Sequence, residues 1–494
     1  MRTVWVLGDQ LNRRISSLAG RTPDDTRILF VESTAKIRSK PYHRQRLHLV
    51  ITAMRRFALE LEAAGFEVDY RSAHSLASGL AEHRSEYRPP TVSVMEPMSH
   101  RMLELLNRLD VEVVRSNQFL FHYEDFATWA HGRKRLVMEE FYRMQRRRLG
   151  YLMDGDEPAG GAWNFDQDNR QPPPRDGRNW PSPVHTRLDE LDRTVLSELP
   201  DSAVGADPDG TWATTRRAAL ARLRHVIEEV LPIFGPHEDA MLSGQWSMGH
   251  SLLSPYLNLG LLFPDEVCDA AEEAYRAGRI PIASAEGFIR QIIGWREYVW
   301  GTYWLWMPGY ASMNELGADR RLPSLFESGE TEMRCVDQTL QAVHEHGYAH
   351  HIQRLMVLGN LALLAGVSPQ QMVEWMWASF VDGAEWVMLP NVIGMSLYAD
   401  GGMMATKPYA AGGNYINKMS DYCSGCRFDP KQRVGTEACP FTSLYWDFLA
   451  RQRDTLAGNH RMARQLSAAD RLRDLAAVRS RATEVLELLE AGEL

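Results

Sequence analysis

Short β-rich runs alternate with helical segments over roughly residues 1–130, and this alternation restricts the fold more than any other feature. The β-rich runs read TVWVLG, RILFVES, FEVDYR, TVSVMEP and VEVVRS. Between the second and third runs, apolar residues recur at helical spacing and end at a glycine: Leu47, Val50, Ile51, Met54, Phe57, Leu61 and Gly65. Alternation of this kind predicts an N-terminal α/β domain with a doubly wound parallel sheet.

The turn after the first strand is a candidate ligand loop. Ligands of doubly wound sheets bind at the carboxyl ends of the strands. The turn LGDQL lies at such an end, which makes Gly8, Asp9 and Gln10 candidate ligand residues. The alternative is a purely structural turn, because every strand needs one.

The composition changes after the α/β pattern. The segment GDEPAGGAWNFDQDNRQPPPRDGRNWPSP is rich in Pro, Gly, Asn and Asp, which predicts a long connector. Within it, we expect WNFDQDNR to pack against a domain. From about residue 212 the pattern is almost entirely helical. We therefore predict an α/β domain over 1–132, a linker with a basic helix over 133–211, and a large all-α domain over 212–494.

The bulk composition is that of a globular protein, with 44% hydrophobic and 24% charged residues. Five cysteines in 494 residues argue against a disulfide framework. No run of about 18 apolar residues is present, and the N-terminus reads as a first strand. We expect a cytoplasmic monomer that contacts no membrane.

The net charge of −9 does not favour nucleic-acid binding, but a local basic patch is sufficient for phosphate contacts. Two segments offer one, HGRKRL and FYRMQRRRLG. Their candidate DNA contacts are Arg133, Lys134, Arg146 and Arg147. The alternative is a solvated face, which is the usual role of a basic run.

Four of the five cysteines have a spacing typical of metal ligands. They are Cys423 and Cys426 in DYCSGCRFDP, Cys439 in TEACPFTS, and the distant Cys335 in EMRCVDQ. The spacing fits either zinc or an iron–sulfur cluster and does not decide between them. The fifth, Cys268, lies on a helical apolar stripe, and we expect it in the core.

Several motifs in the helical part resemble the photolyase and cryptochrome superfamily. GHSLLSPYLNLG resembles its phosphate loop, FIRQIIGWREY its Trp-Arg-Glu segment, and AHHIQRLM its His-bearing helix. VDGAEWVMLPNVIGM stands where the superfamily has an Asp and an Asn that face the flavin. With the four cysteines, the chain resembles the bacterial iron–sulfur photolyases and cryptochromes, including bacterial six-four photolyases, over its full length.

The resemblance implies an all-α domain that binds FAD, a four-iron four-sulfur (4Fe-4S) cluster, and an α/β domain that can hold a 6,7-dimethyl-8-ribityllumazine antenna beside Gly8, Asp9 and Gln10. It implies an FAD site made of His250, Ser251, Leu252, Leu253, Ser254, Arg290, Trp295, Arg354, Asp382 and Asn391. Trp375 matches the proximal tryptophan of an electron relay, and the four spaced cysteines match the cluster ligands.

The resemblance also implies an activity, the light-dependent repair of ultraviolet-damaged DNA by an electron from excited reduced FAD. A six-four lesion also needs a proton, so we expect His351 to be the donor. We further expect His350 in the catalytic cleft and Tyr409 stacked at the lesion. The alternatives are a blue-light receptor of the same fold without repair activity and a zinc-stabilised nucleic-acid-binding protein.

Some positions depart from the family pattern. Leu355 replaces the second catalytic His of the eukaryotic enzymes, which leaves one histidine for proton transfer. Met376 and Glu327 stand at outer relay positions, so rapid photoreduction needs a substitute such as Trp377 or Phe326. Lys36 and Ser39 replace antenna-domain residues that relatives have as Glu and Tyr.

Overall fold

The computed structural model describes residues 1–494, and its N-terminal part is built on a five-stranded parallel sheet. The strands are β1 Arg2–Trp5, β2 Thr26–Ser33, β3 Glu67–Ala73, β4 Val92–Met95 and β5 Glu112–Val114. The order is β3-β2-β1-β4-β5, with every pair parallel. Because the order reverses on either side of the central β1, the predicted doubly wound sheet is confirmed.

Helices cover both faces of this sheet. The helices of this part are α1 Thr34–Ile37, α2 Arg44–Ala63, α3 Leu76–Tyr87, α4 His100–Arg108, α5 Tyr123–Ala130 and α6 Met138–Leu149. Of these, α2 packs on one face of the sheet and α3 and α4 pack on the other, whereas α5 and α6 pack on helices of the second half. The longest, α2, buries the predicted apolar stripe, with Leu61 fully buried and Leu47 nearly so. The chain leaves α2 through Gly65, whose φ of 92° is a left-handed conformation that favours glycine.

The connector is largely irregular but is anchored at WNFDQDNR. It contains the hairpin strands β6 Met153–Asp154 and β7 Glu157–Pro158, followed by irregular chain up to α7 Glu190–Glu198. The Phe165 amide donates to Glu286 Oε2 at 3.0 Å, and Asn169 Nδ2 donates to the Ala283 carbonyl at 3.0 Å. The expectation that this segment packs on a domain is confirmed.

The remainder of the chain is helical, as predicted. Its helices are α8 Arg216–His225, α9 Leu231–Phe234, α10 Ser254–Asn258, α11 Pro264–Arg276, α12 Ile282–Ile289, α13 Glu297–Trp306, α14 Leu325–Ser328, α15 Arg334–His346, α16 Asn360–Ala365, α17 Pro369–Ser379, α18 Glu385–Leu389, α19 Gly413–Met419, α20 Pro440–Arg451, α21 Arg453–Leu456, α22 Ala463–Asp470 and α23 Leu475–Ala491. No helix of the chain is both long and apolar enough to cross a bilayer.

Four π-helical segments interrupt these helices, at Val226–Val230, Arg290–Arg296, Gln353–Gly359 and Pro390–Ser396. π-Helical turns are rare and occur frequently at functional sites. The last three segments carry residues that we predicted for the FAD site, which are Arg290 and Trp295, Arg354, and Asn391. Departures from regular α-helix thus coincide with the motifs.

The apolar cores cross the predicted domain boundaries. One core joins the sheet to helices of the second half, and the other joins α5 to α13. A Cβ added to Gly301 would lie 2.1 Å from the Phe126 ring, so only glycine permits this close packing. Because the cores are shared, the boundaries at 132 and 211 stay predictions.

Candidate active site and cysteine centre

An ion pair between Arg354 and Asp382 joins the three motif segments. The guanidinium donates to both carboxylate oxygens, at 2.9 and 3.1 Å, and both side chains are largely buried. Ser254 Oγ, in the phosphate-loop motif, donates to Asp382 Oδ2 at 2.7 Å. Segments that are far apart in sequence therefore meet at one carboxylate, as the motif order predicts.

The Arg354 guanidinium also lies between two aromatic rings. Its Cζ is 4.0 Å from the Phe380 centroid and 4.8 Å from the Tyr348 centroid. A guanidinium on an aromatic face gains cation–π attraction, which adds to the rigidity of a bidentate ion pair. The cation therefore has one preferred position.

The phosphate-loop motif has a backbone suited to an anion. Met248 and Leu252 adopt left-handed conformations, with φ of 41° and 56°. Neighbouring left-handed and right-handed residues, such as Leu252 and Leu253, can turn their backbone N–H groups into a concavity that binds anions. A cavity of about 370 Å³ adjoins the loop and is lined by residues that include Ser247, His250, Ser251, Leu252, Arg222 and His225.

Two histidines stack in the wall of the cleft. The rings of His250 and His350 have centroids 4.4 Å apart and planes 10° apart. Both ring nitrogens of His350 and Nε2 of His250 are buried without a hydrogen-bond partner. Unpartnered buried donors and acceptors are costly unless a bound group satisfies them. The predicted FAD carries hydrogen-bond donors and acceptors on its pyrophosphate, its ribityl chain and one edge of its ring system, so the residues present fit such a group.

His351, the next residue after His350, is exposed to solvent. Part of the His351 side chain is accessible to solvent, and protein atoms enclose the rest of it. This enclosure, together with the Arg354 cation, lowers the pKa of His351 to about 4. Of these two adjacent histidines, His351 is exposed at the surface and His350 is fully buried.

Asn391 and Trp295 lie half-buried in their π-helical segments. Asn391 Nδ2 donates to the Val387 carbonyl at 2.7 Å, within its own helix. This bond lies within the helix and uses only the amide nitrogen of Asn391. The Oδ1 atom stays available as an acceptor for a flavin.

Arg290 is surrounded by carboxylates that sequence reasoning missed. It pairs with Asp166 of the connector and with Glu286. Burial raises the pKa of the neighbouring Glu238 to about 8, even though Arg290 opposes this shift. The Arg290 charge is therefore balanced by Asp166 and Glu286. The only feature of the sequence that pointed to this contact was the unusual composition of WNFDQDNR, which contains Asp166.

Tyr409 is exposed, with 37% of its surface accessible, at the edge of this acidic and basic cluster. Burial raises the pKa of its hydroxyl, whereas the Arg170 and Arg461 cations lower it. Two cations that we did not predict thus face Tyr409, one of them from the connector.

All four spaced cysteines line one cavity of about 320 Å³, with mainly apolar neighbours. Burial, then the charges of the other cysteines, raises the pKa of the Cys335 thiol well above its usual value. Burial likewise raises the pKa of Cys423 to about 12 and that of Cys439 to about 11. The thiolates that metals require would therefore need a cationic centre to hold their charge.

The cysteine cavity depends on a glycine. A Cβ added to Gly413 would lie 2.7 Å from Cys439 Sγ. No three His, Cys, Asp or Glu side chains of the chain form a site for a single metal ion. A cavity shared by four thiols fits a larger group, the cluster that the resemblance implies. Cys268 is fully buried in α11, in the core where we expected it.

Hydrogen bonds connect the cysteine centre to the histidine pair. Gln353 Nε2 donates to the hydroxyl of Tyr422, which precedes Cys423, at 3.0 Å. Gln353 Oε1 accepts from the His350 amide at 3.1 Å. The position of the cleft wall is therefore tied to the cysteine loop.

One of the four predicted DNA contacts is incompatible with the structure. Arg146 is fully buried and donates to the carbonyls of Tyr151, Leu152 and Trp163. The Arg146 guanidinium therefore holds the chain that follows α6 and is not accessible to DNA, so the predicted phosphate contact is wrong. Arg147 is exposed with its guanidinium 4.5 Å from the Trp163 ring centroid.

The other two basic candidates are at the surface. Arg133 is exposed, pairs with Glu140 and lies over Trp129. Lys134 is exposed. These positions permit a contact with phosphates, which stays a prediction.

The predicted antenna loop is used for packing. Gln10 is buried and its Nε2 donates to the Met95 and Glu96 carbonyls at the end of β4. Burial raises the pKa of Asp9 to about 6, and its carbonyl accepts from Gln118. Gly8 lies against α2, since an added Cβ would be 3.0 Å from Met54 Sδ. The loop offers no free side-chain amide to a ligand.

The family-model comparison matches residues 4–206 to a family described as "Deoxyribodipyrimidine photo-lyase-related protein". The chain is 43% identical over 476 residues to the (6-4) photolyase of Agrobacterium fabrum, covering 93% of this chain and 94% of that protein. An uncharacterized mimivirus protein, R855, is 30% identical over 24% of this chain.

Two solved structures share the fold. A bacterial class III photolyase from Agrobacterium tumefaciens matches with a TM-score of 0.60 and 16% identity, covering 99% of this chain and 97% of that one. A cryptochrome from Synechocystis sp. PCC6803 matches with a TM-score of 0.54 and 15% identity, covering 80% and 82%. On the identity and coverage of its curated relative, the chain belongs to the photolyase and cryptochrome family, in the group that contains the (6-4) photolyase of Agrobacterium fabrum.

Proposed function

We propose that the protein is a DNA photolyase that repairs ultraviolet-damaged DNA in light, with the (6-4) photoproduct as its substrate and FAD as its cofactor. The observation that carries the proposal is the convergence of the phosphate loop, the Arg354–Asp382 pair and the His250–His350 stack on one cleft. The 43% identity to a (6-4) photolyase supports the substrate.

Within that cleft, each group has a separate task. The backbone and hydroxyls of the phosphate loop would hold the pyrophosphate, and Arg354 with Asp382 would position the ring system. Asn391 Oδ1, His250 Nε2 and His350 would supply further hydrogen bonds. Bound FAD, when reduced and excited by blue or near-ultraviolet light, supplies the electron that starts lesion cleavage.

The lesion must leave the duplex before it can enter the cleft, and damage lowers the cost of unstacking it. Tyr409 is exposed where a flipped base would arrive, and Arg170 and Arg461 are close enough to attract its phosphates. His351 is also exposed and, once bound DNA has raised its pKa, would donate the proton that group transfer in a (6-4) lesion requires.

We also propose that Cys335, Cys423, Cys426 and Cys439 hold a four-iron four-sulfur cluster. The shared cavity and the need for a cation to hold buried thiolates support this assignment. The cluster would fasten α15, the Cys423 loop and the start of α20 together. We expect the protein to work as a monomer in the cytoplasm, where its five unpaired cysteines stay reduced.

The lumazine antenna stays a prediction with weaker support. Lys36 and Lys40 both lie over the Trp377 ring, at 5.1 and 4.8 Å from its centroid. Ser39 Oγ donates to the Lys36 carbonyl. The Lys36 side chain is thus engaged at Trp377 and the Ser39 hydroxyl at the backbone, and Gln10 is engaged at β4.

A repair assay tests the proposed function. The protein, reduced with dithionite, would be illuminated with DNA that carries a single (6-4) photoproduct, and in parallel with DNA that carries a cyclobutane dimer. We expect light-dependent restoration of the (6-4) site and no restoration in the dark. Repair of the cyclobutane dimer alone would overturn the substrate assignment, and repair of neither lesion would favour a receptor.

A further inference from the structure

The expected electron relay has little continuation beyond its first residue. The indole N–H of Trp375 is bound to the Phe326 carbonyl, and its ring contacts Phe326 and Phe380 at 5.0 and 5.9 Å between centroids. Phenylalanine rings are far harder to oxidise than indole or phenol. Met376 is buried and Glu327 is exposed, and neither extends an aromatic path.

Trp377 is a poor substitute. Two lysine ammonium groups lie over its ring. Lys36 has no ion-pair partner, whereas Lys40 pairs with Glu374. A positive charge on an aromatic face opposes removal of an electron from that ring. Trp377 is therefore the wrong place to form a radical cation.

The Arg354 guanidinium also contacts a redox-active ring, that of Tyr348. The Arg354 Cζ lies 4.0 Å from the Phe380 centroid and 4.8 Å from the Tyr348 centroid, and only the second of these rings is redox-active. Tyr348 lies 5.9 Å from Trp246, centroid to centroid, in an edge-to-face contact. Because Asp382 neutralises Arg354, its charge does not oppose oxidation of Tyr348 as an unpaired cation would.

Trp246 is suited to end such a path. It is half-buried, so a reductant in solution can reach it, and it stacks on His346 at 4.1 Å with an interplanar angle of 19°. Burial lowers the pKa of His346, so the stacked imidazole is neutral at pH 7. Unlike Trp377, Trp246 therefore carries no cation on its stacked face.

We propose that Tyr348 and Trp246 form the electron path that reduces the FAD in light in this chain, in place of the outer relay. The inference rests on the proposed binding of FAD between the phosphate loop and Arg354. For each photon, one electron passes inward through Tyr348 and leaves Trp246 oxidised. A thiol in solution then returns one electron to Trp246, and two such turns with protons from solvent complete the reduction.

Burial raises the pKa of the Tyr348 phenol well above its ordinary value, although the Arg354 cation opposes this shift. An oxidised tyrosine persists only if its proton leaves, and buried surroundings disfavour that separation of charge. The oxidised site is therefore expected to move outward to Trp246, since an indole can remain as a radical cation without losing a proton.

Four variants of the full, FAD-loaded chain test the path, which are Trp246→Phe, Tyr348→Phe, Trp375→Phe and Trp377→Phe. The measurements are the rate of FAD photoreduction with excess dithiothreitol and no DNA, and the tryptophan radical seen by transient absorption and EPR. We expect Trp246→Phe to slow photoreduction by an order of magnitude and to remove the long-lived radical. Tyr348→Phe should act in the same direction, whereas Trp377→Phe should match the wild type.

Photoreduction and radical yield at wild-type level in Trp246→Phe would overturn the proposal. Loss of photoreduction in Trp375→Phe with none in Trp246→Phe would assign the electrons to the family route instead. FAD content, measured for each variant, identifies loss of the cofactor as a separate effect. Repair by dithionite-reduced wild type tests the proposed function without using this path, so the two failures are distinguishable.

Discussion

His250 and His350 stack face to face, with ring centroids 4.4 Å apart. The stack fastens the phosphate loop to the segment that leads into Arg354. Burial is the main cause that lowers the pKa of both imidazoles, to about 3 for His250 and well below its usual value for His350. Both rings are therefore neutral at pH 7, and a proton on either would place an unpaired cation inside the cleft wall.

The stack predicts a loss of stability in acid. Below pH 6.5 the unfolded chain binds protons on these histidines while the folded chain does not, so the free energy of unfolding falls as the pH drops. The fall should be about 1.4 kcal/mol per pH unit for each histidine, until the folded-state pKa is reached. Urea unfolding of His250→Asn between pH 7 and 5 should show a smaller pH slope than the wild type. The exposed His74→Gln is the control, and an unchanged slope in His250→Asn would contradict the argument.

The Arg354–Asp382 pair predicts how FAD is lost. Asp382→Asn removes the anion but leaves a largely buried guanidinium between two rings, which costs several kcal/mol. We expect purified Asp382→Asn to contain little FAD, measured by flavin absorbance after release. Asp470→Asn, which removes the exposed partner of Arg453, should retain it. Full FAD content in Asp382→Asn would remove the pair from the cofactor site.

Much of this architecture follows from the sequence because it depends on periodic patterns. The strand runs and the α2 stripe predict a doubly wound sheet, and the motif order predicts that Ser254, Arg354 and Asp382 meet. The docking of Asp166 on Arg290 does not follow, because a connector without periodicity carries no signal for its partner. The sequence also does not predict that Gln10 bonds to the end of β4, because that contact depends on how the strands are arranged in the folded protein.

Helical periodicity indicates that Arg146 is buried, whereas the basic composition of its run indicates an exposed position. Arg146 lies four residues after Tyr142, which is fully buried, so both face the same side of α6. Composition alone places an arginine in RRR on a solvated face, whereas helical periodicity places this one inside. Backbone carbonyls then satisfy its donors.

Arg146 and Arg147 therefore give a matched pair of variants. Arg146→Ala should lower the free energy of unfolding by about 3 kcal/mol or more, because it leaves several buried carbonyls unpaired and a cavity behind. Arg147→Ala should change stability by less than about 1 kcal/mol, since its side chain is exposed. Thermal and urea unfolding measure both. Equal effects would mean that Arg146 is not the interior residue of the run.

The cysteines predict a cluster-dependent fold. Replacing Cys335, Cys423, Cys426 or Cys439 by Ser should give protein without iron or protein that aggregates, because the cluster would join segments far apart in sequence. The Cys268→Ser variant should keep its iron, although a serine hydroxyl in this fully buried position should lower the free energy of unfolding somewhat. Iron and acid-labile sulfide should each approach about four per chain in the wild type. Stoichiometric zinc would contradict the assignment.

A Gly413→Ala variant tests the cavity without touching a ligand. The added methyl group would meet Cys439 Sγ at 2.7 Å, so the fourth ligand must move. We expect faster loss of iron to a chelator than in the wild type. Gly435→Ala is not a suitable control, because alanine is strained at the Gly435 φ of 90°. At Gly309 an added Cβ would meet no atom within 4 Å, and the backbone is not in the left-handed region. Gly309→Ala should lose iron at the wild-type rate.

The last prediction concerns the protonation of His351. Only the protonated imidazole can donate, and in the free protein enclosure and Arg354 lower the pKa of His351 to about 4. Damaged DNA brings phosphates to the cleft mouth, and their negative charge favours the imidazolium, so binding should raise this pKa. An imidazole NMR titration should show a midpoint near 4 without DNA and a higher one with it. A midpoint that DNA does not move would contradict proton donation from this residue.

Repair rates should follow the same protonation. At saturating damaged DNA, the rate in light should fall as the pH rises through the raised pKa, because the donor form disappears. His351→Ala should keep FAD, the cluster and affinity for damaged DNA, yet repair about 10²- to 10⁴-fold more slowly, the range that general acid catalysis contributes. Its remaining rate should no longer follow the His351 titration. His350 cannot take over, because it is fully buried and stacked on His250, whereas His351 is exposed to solvent. Near-normal repair by His351→Ala would remove this histidine from the mechanism.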